Sequence, residues 1–114
     1  MDFSDIAALQ VEIYHTLDQQ EKLRDEFAVA KQVAEYDSDR RKIALAKCVK
    51  GSVGKSIAEK EMNARASLEY NDALGALGDA YAASQKIISR YYSLSSKLDA
   101  LRSILSTQKQ LASL

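Results

Sequence analysis

The chain contains no proline in 114 residues, and beyond Ser67 it runs to its last residue without a plausible helix stop. Apolar residues recur there every three or four positions: Tyr70, Leu74, Leu77, Tyr81, Ile88, Tyr91, Leu94, Leu98, Leu101 and Leu105. That spacing lays one apolar stripe along a helix and builds coiled-coil seams, so it predicts a long helix that must be covered by another. The candidate cover is the equally long stretch before Gly51, where Ile6, Leu9, Ile13, Leu17, Leu23, Phe27, Ala30 and Ala34 set a stripe that drifts through Val33, Tyr36, Ile43 and Leu45.

The expected architecture is therefore all-α: a long antiparallel helical hairpin with a short connecting helix, forming a single domain over residues 1–114. The first helix spans about 5–50, opening at Ser4 or Asp5, either of which can cap the free amides of a first turn. A turn follows over 51–55, with Gly51 as the left-handed residue that ends the helix and Lys47 and Lys50 near the negative end of its dipole. Ser56 with Glu59 forms a capping box, in which the hydroxyl accepts from the amide three residues on and the carboxylate returns to the Ser amide. It starts a short helix over 56–66. Ser67 with Glu69 marks a further start, and a bend there leaves a long helix over 68–113 that matches the first in length, about 70 Å each at 1.5 Å per residue.

Charge agrees with antiparallel arms. The formal net charge is zero, which gives no global attraction to nucleic acid or membrane, but the distribution is uneven. Residues 1–39 hold ten acids and three bases, 40–58 no acids and six bases, 59–79 five acids and two bases, and 80–114 one acid and five bases. An antiparallel hairpin puts opposite signs beside each other at both ends. Exposed pairs of this kind set register more than they stabilise, and the i,i+4 pairs Asp18 with Lys22, Lys22 with Glu26 and Asp37 with Arg41 add a few tenths of a kcal/mol each.

A two-helix hairpin gives each helix one neighbour, a poor shape for burying a core. A second copy covering the remaining apolar surface in a four-helix arrangement makes a homodimer the expected state. Leu74, Leu77, Tyr81, Ile88, Tyr91 and Leu98 are the residues expected to serve that dimer or the packing of helices. No apolar run reaches the roughly 20 residues of a membrane span, and the N-terminus lacks a signal-peptide layout, so no membrane contact and a cytoplasmic location are expected. Cys48 is the only cysteine, which excludes an intrachain disulfide and fits a reducing compartment, with the thiol packed as a small apolar group.

The segment Gly51-Ser-Val-Gly-Lys-Ser56 looks like the end of a phosphate-binding loop, but that motif needs glycine where Val49 stands and a strand where a helix is expected. A helix stop followed by a helix start explains it better, with an anion held beside Lys55 by the free amides as the weaker alternative. Arg40, Arg41, Lys42, Lys47, Lys50 and Lys55 form the one unbroken basic stretch and are the candidate nucleic-acid contacts. No aromatic residues interleave them, and Glu59, Glu61, Glu69 and Asp72 are near enough to neutralise part of the charge. Gly75 and Gly78 each cost about 1 kcal/mol inside a helix, and close approach of a neighbouring helix is the expected compensation. Tyr70, Tyr81, Tyr91 and Tyr92 suit a half-buried seam or a protein interface. His15 has no metal-binding companion, no nucleophile, base and orienting group converge, and neither cofactor nor enzymatic activity is expected.

Glu59 to Leu114 resembles small helical proteins of tailed bacteriophages, most clearly over Ala64-Arg-Ala-Ser-Leu-Glu-Tyr70 and Leu98-Asp-Ala-Leu-Arg-Ser-Ile-Leu-Ser106. Proteins of that kind are often encoded near recombination genes and carry no established catalytic residues. The resemblance, over about half the chain, implies a phage accessory in the host cytoplasm. Such a protein would bind a host or phage protein, in recombination or against a nuclease or defence system. The alternatives are a nucleic-acid-binding accessory using the basic turn region and an architectural coiled-coil element.

Overall fold

The computed structural model describes residues 5–114, so Ser4 as an opening cap lies outside the described residues. Four helices follow one another, α1 (Ile6–Glu35), α2 (Asp37–Gly51), α3 (Ile57–Ala66) and α4 (Leu68–Ala112), with no strand among the described residues. Asp5 caps α1 by accepting from the amides of Ala7 and Ala8 at 2.9 and 3.4 Å. The all-α hairpin is thus present. The chain divides into two compact units, one made of the residues up to Ala28 with Lys86–Leu114, the other of Val29–Gln85.

In the first unit α1 and α4 pair antiparallel, because residues that ascend α1 meet residues that descend α4. Glu12 meets Lys97 at 2.7 Å, Gln20 donates to the Ser95 hydroxyl, and Phe27 stacks on Tyr91 with ring centroids 3.9 Å apart. The acidic start of α1 does lie against the basic end of α4. Leu9, Ile13, Leu98 and Leu101 form the core there, with Leu17, Ile104 and Leu105 packed around it. Burying a side chain as completely as Leu9 is worth about 1.5–3 kcal/mol relative to exposure.

The seam residues of α1 and α2 keep a strict alternation of four and three: Leu9, Ile13, Thr16, Gln20, Leu23, Phe27, Ala30, Ala34, Asp37, Arg41, Ala44 and Cys48 are each buried or half-buried. Polar members are tolerated because each has a partner, on its own helix for Thr16, Asp37 and Arg41 and on α4 for Gln20. The Thr16 hydroxyl, fully buried, donates to the Glu12 carbonyl at 2.8 Å, and within α4 the buried Ser84 donates to the Tyr81 carbonyl at 2.7 Å. No buried side-chain nitrogen or oxygen among the described residues lacks a partner.

A single helix over 5–50 is corrected in one respect: it is interrupted at Tyr36, whose φ of −96° and ψ of 7° lie outside the helical range. Asp37, Ser38 and Asp39 explain the position, since such side chains favour a helix's first turn over its middle. The interruption does not change the phase of the seam, because the Tyr36 amide still donates to Gln32 and the Arg40 amide to Tyr36, both at 3.0 Å.

In the second unit Cys48, Ala64 and Tyr70 are buried together, with Leu45, Val49 and Leu74 around them. The helix stop differs from expectation. Gly51 is not left-handed, as no glycine has positive φ; instead Ser52 turns to extended backbone, its amide donates to Val49 at 3.1 Å, and its hydroxyl donates to Cys48 at 2.7 Å. Serine does what glycine was expected to do. The capping box also shifts: Ser56 accepts from the Glu59 amide at 3.1 Å, but the Glu59 carboxylate returns to the Lys55 amide, at 3.3 Å, rather than to Ser56. Asn63 holds the loop by donating to the Val53 carbonyl at 2.6 Å.

The bend at Ser67 is real and is made by one side chain. Its hydroxyl donates to the Ala64 carbonyl at 2.6 Å, ending α3, and accepts from the Tyr70 amide at 3.1 Å, starting α4. Asn71 braces the joint through the Arg65 and Ser67 carbonyls at 3.3 and 2.8 Å. The close helix approach expected at Gly75 and Gly78 is absent: a Cβ at either would meet nothing within 4 Å. Gly54 is the glycine that needs to be one, since a Cβ there would sit 2.8 Å from the Lys60 amide nitrogen.

Two outcomes follow from this geometry. Gly51→Ala should be neutral or stabilise by about 0.4–1 kcal/mol, as its conformation suits any residue, while Gly54→Ala should destabilise by more than that; urea unfolding compares them. The second concerns acid. The Lys97 ammonium, hydrogen-bonded to Glu12, holds that carboxyl below the ordinary carboxylate range. A depressed folded-state pKa stabilises the fold above the unfolded value of about 4.3 and loses that contribution as pH falls through the folded value. Lys97→Met should therefore narrow the gap between melting temperatures measured at about pH 7 and about pH 3.

Candidate functional site

The basic stretch is continuous in sequence and divided in space. Successive residues on a helix turn by about 100°, so Arg40 and Lys42 point about 200° apart. Arg40 and Lys47 border an open groove of about 440 Å³ between α2 and α4, floored by Ile43, Ala73, Ala76 and Leu77 and closed at one end by Glu69. Lys42 and Lys50 border a second groove of about 420 Å³ on the opposite side of α2, where Leu45, Val49 and Ile57 supply the floor and Glu61 faces the lysines. Arg41 turns into the seam, its Nε 2.8 Å from the Asp37 carboxylate. Lys55 stands in the loop before α3, exposed. The six cations therefore do not form one surface, and each groove pairs two of them with an acid.

A partly neutralised rim around an apolar floor selects for apolar side chains with a few charges rather than for a row of phosphates. The exposed side chains on and beside α3, of which Ile57 lines the second groove, point the same way. Val53, Ile57, Met62 and Leu68 are 85%, 80%, 64% and 77% exposed, an unusual concentration of apolar surface around one short helix. Nothing in the helical spacing marks them, since α3 has too few turns to show a stripe and the loop has no period.

Of the six residues expected to serve dimer or helix packing, some pack within the chain and others stay open to solvent. Leu98 is in the first core, Leu74 packs on the second, and Leu77 floors the first groove. Tyr91 stacks on Phe27, with Tyr92 edge-on to Phe27 at 5.6 Å; Ile88 is half-buried, and Tyr81 is 38% exposed. The tyrosines are thus divided between seam and surface.

His15 is exposed, and no group of three or more His, Cys, Asp or Glu among the described residues is placed to hold a metal ion. Cys48 is 7% exposed against Ala64 and Tyr70, a packed small residue as expected. The Lys55 amide donates to the Glu59 carboxylate and the Glu59 amide to the Ser56 hydroxyl, so a carboxylate already occupies the place beside Lys55 where the phosphate-loop likeness would put an anion. No helix among the described residues is long and apolar enough to cross a membrane.

No protein-family profile, curated protein or solved structure matches the chain.

The divided charge has a measurable consequence. Fluorescence anisotropy with single- or double-stranded DNA near 150 mM salt should show weak or no binding, and calorimetry should show no ATP binding tighter than millimolar. Tight binding that weakens steeply with salt and disappears on Arg40→Glu, Lys42→Glu and Lys50→Glu together would place nucleic acid on both sides of α2.

Proposed function

We propose that this chain is a non-enzymatic helical module that binds another protein and also pairs with a second copy of itself. The observation that carries the reading is the apolar surface around α3, where Val53, Ile57, Met62 and Leu68 lie exposed and Ile57 lines a groove rimmed by Lys42, Lys50 and Glu61. Water-exposed apolar area of this kind is costly to keep unless a partner covers it, and the mixed rim provides orientation. An apolar segment carrying an acid for the lysines matches this chemistry. The phage-like stretch over Glu59–Leu114 supports a setting among phage accessories, with a recombination protein, a host nuclease or a defence protein as the class of target.

The test is comparative capture from expressing cells followed by binding of the purified partner. Ile57→Asp and Met62→Asp alter exposed side chains and should leave helicity by circular dichroism unchanged while weakening binding at least about tenfold, the effect of losing a central apolar contact. Unchanged binding by both variants overturns this surface as the protein-binding site.

A further inference from the structure

The groove between α2 and α4 in the Val29–Gln85 unit has a pattern that the α3 surface lacks. Its α2 side continues a stripe begun on α1: Val29, Tyr36 and Ile43 stand seven residues apart and are 61%, 48% and 54% exposed. Seven residues is two helical turns of a coiled-coil seam, so this is a second seam parallel to the one already filled. Opposite it, α4 presents Ala73, Ala76, Ala80 and Ala83 at spacings of three and four, a low ridge that admits another helix closely. Beside this ridge a Cβ on Gly75 or Gly78 would meet nothing within 4 Å, and Ala76, Ala80 and Ala83 are exposed.

Charge decides what fits. The cations Arg40 and Lys47 lie on the α2 side and the acid Glu69 on the α4 side, all bordering the same groove. A surface positive along one ridge and negative along the other is complementary to itself when the twofold axis runs along the helices, because that operation sets each α2 ridge opposite the partner's α4 ridge. A twofold axis across the helices would oppose cation to cation and acid to acid.

We infer that this groove is the self-association face, occupied by the same groove of a second copy in parallel orientation, with Lys47 of each chain level with Glu69 of the other and Arg40 adding to the positive side of the same groove. The inference rests on the self-pairing proposed above and names its surface and direction. It adds a helix pair to the exposed seam and gives the alanine ridge close neighbours.

Sedimentation equilibrium distinguishes the two levels. Wild type should be a dimer at micromolar concentration; a monomer overturns self-pairing itself, and this face with it. Arg40→Glu with Lys47→Glu makes both ridges acidic, and Glu69→Arg makes both basic. Each variant alone should dissociate at least about tenfold more readily, and an equimolar mixture of the two should recover the dimer mass, since only chains of opposite sign then meet. Variants that remain dimeric alone overturn the face or its direction, and a mixture that stays monomeric overturns pairing between chains. Ala76→Gln checks the ridge without a charge: it should dissociate the dimer with helicity intact, and an undisturbed dimer overturns the close approach.

Discussion

Both units depend on the same alternation of four- and three-residue steps, which buries Leu9 to Phe27 in one and Ala30 to Cys48 in the other. A helix has about 3.6 residues per turn, so only such alternation keeps successive side chains facing the same neighbour over many turns. The core is consequently one side chain wide along each pairing. Leu9, Ile13, Leu98 and Leu101 supply apolar burial at one place, and Cys48, Ala64 and Tyr70 at another. Between these, the seam admits Thr16, Gln20 and the Asp37–Arg41 pair, which bring their own partners and so do not tax the fold with unpaired groups. They also contribute specificity, because sliding α1 by one heptad along α4 would separate Gln20 from Ser95 and Glu12 from Lys97.

That narrow core leaves more surface than it covers. On α2, one side faces the seam, and two further sides border grooves that combine aliphatic floors with paired cations and a single acid. The basic stretch between Arg40 and Lys55 looks like a unit only when written as a line. Wrapped on a helix, it becomes the rims of two different grooves and one seam contact. The chemical character of the surface is set by this wrapping and not by the number of cations.

The long helices were legible because periodicity averages over many residues, and Leu98 or Leu101 needed no finer knowledge than their place in the stripe. Ser56 was legible because a capping hydroxyl acts on an amide three residues away. The details that differed are those where two local solutions compete for one position. Gly51 could have turned left-handed, but Ser52 offers a hydroxyl to Cys48 and an amide to Val49, which ends the helix without it. Tyr36 sits in front of an Asp-Ser-Asp run that favours a new first turn, a weaker signal than the unbroken apolar spacing around it. Thr16 and Ser84 were hidden for a different reason: a buried hydroxyl bonded to its own helix has the sequence character of a surface residue. The apolar surface around α3 was invisible because three turns and a loop contain no period to read.

Ser67 has one more consequence, for the substitution spectrum of its position. A single oxygen there must give its proton to the Ala64 carbonyl and offer a lone pair to the Tyr70 amide. Alanine can do neither. Aspartate, ionised, can accept but not donate, and asparagine would have to divide the two tasks between separate atoms on a longer arm. Among the twenty residues only serine and threonine carry a strong donor and a strong acceptor on one atom at that distance from the backbone, the cysteine thiol being weak in both roles, so the angle between two helices narrows the chemistry allowed at this site to a β-hydroxyl.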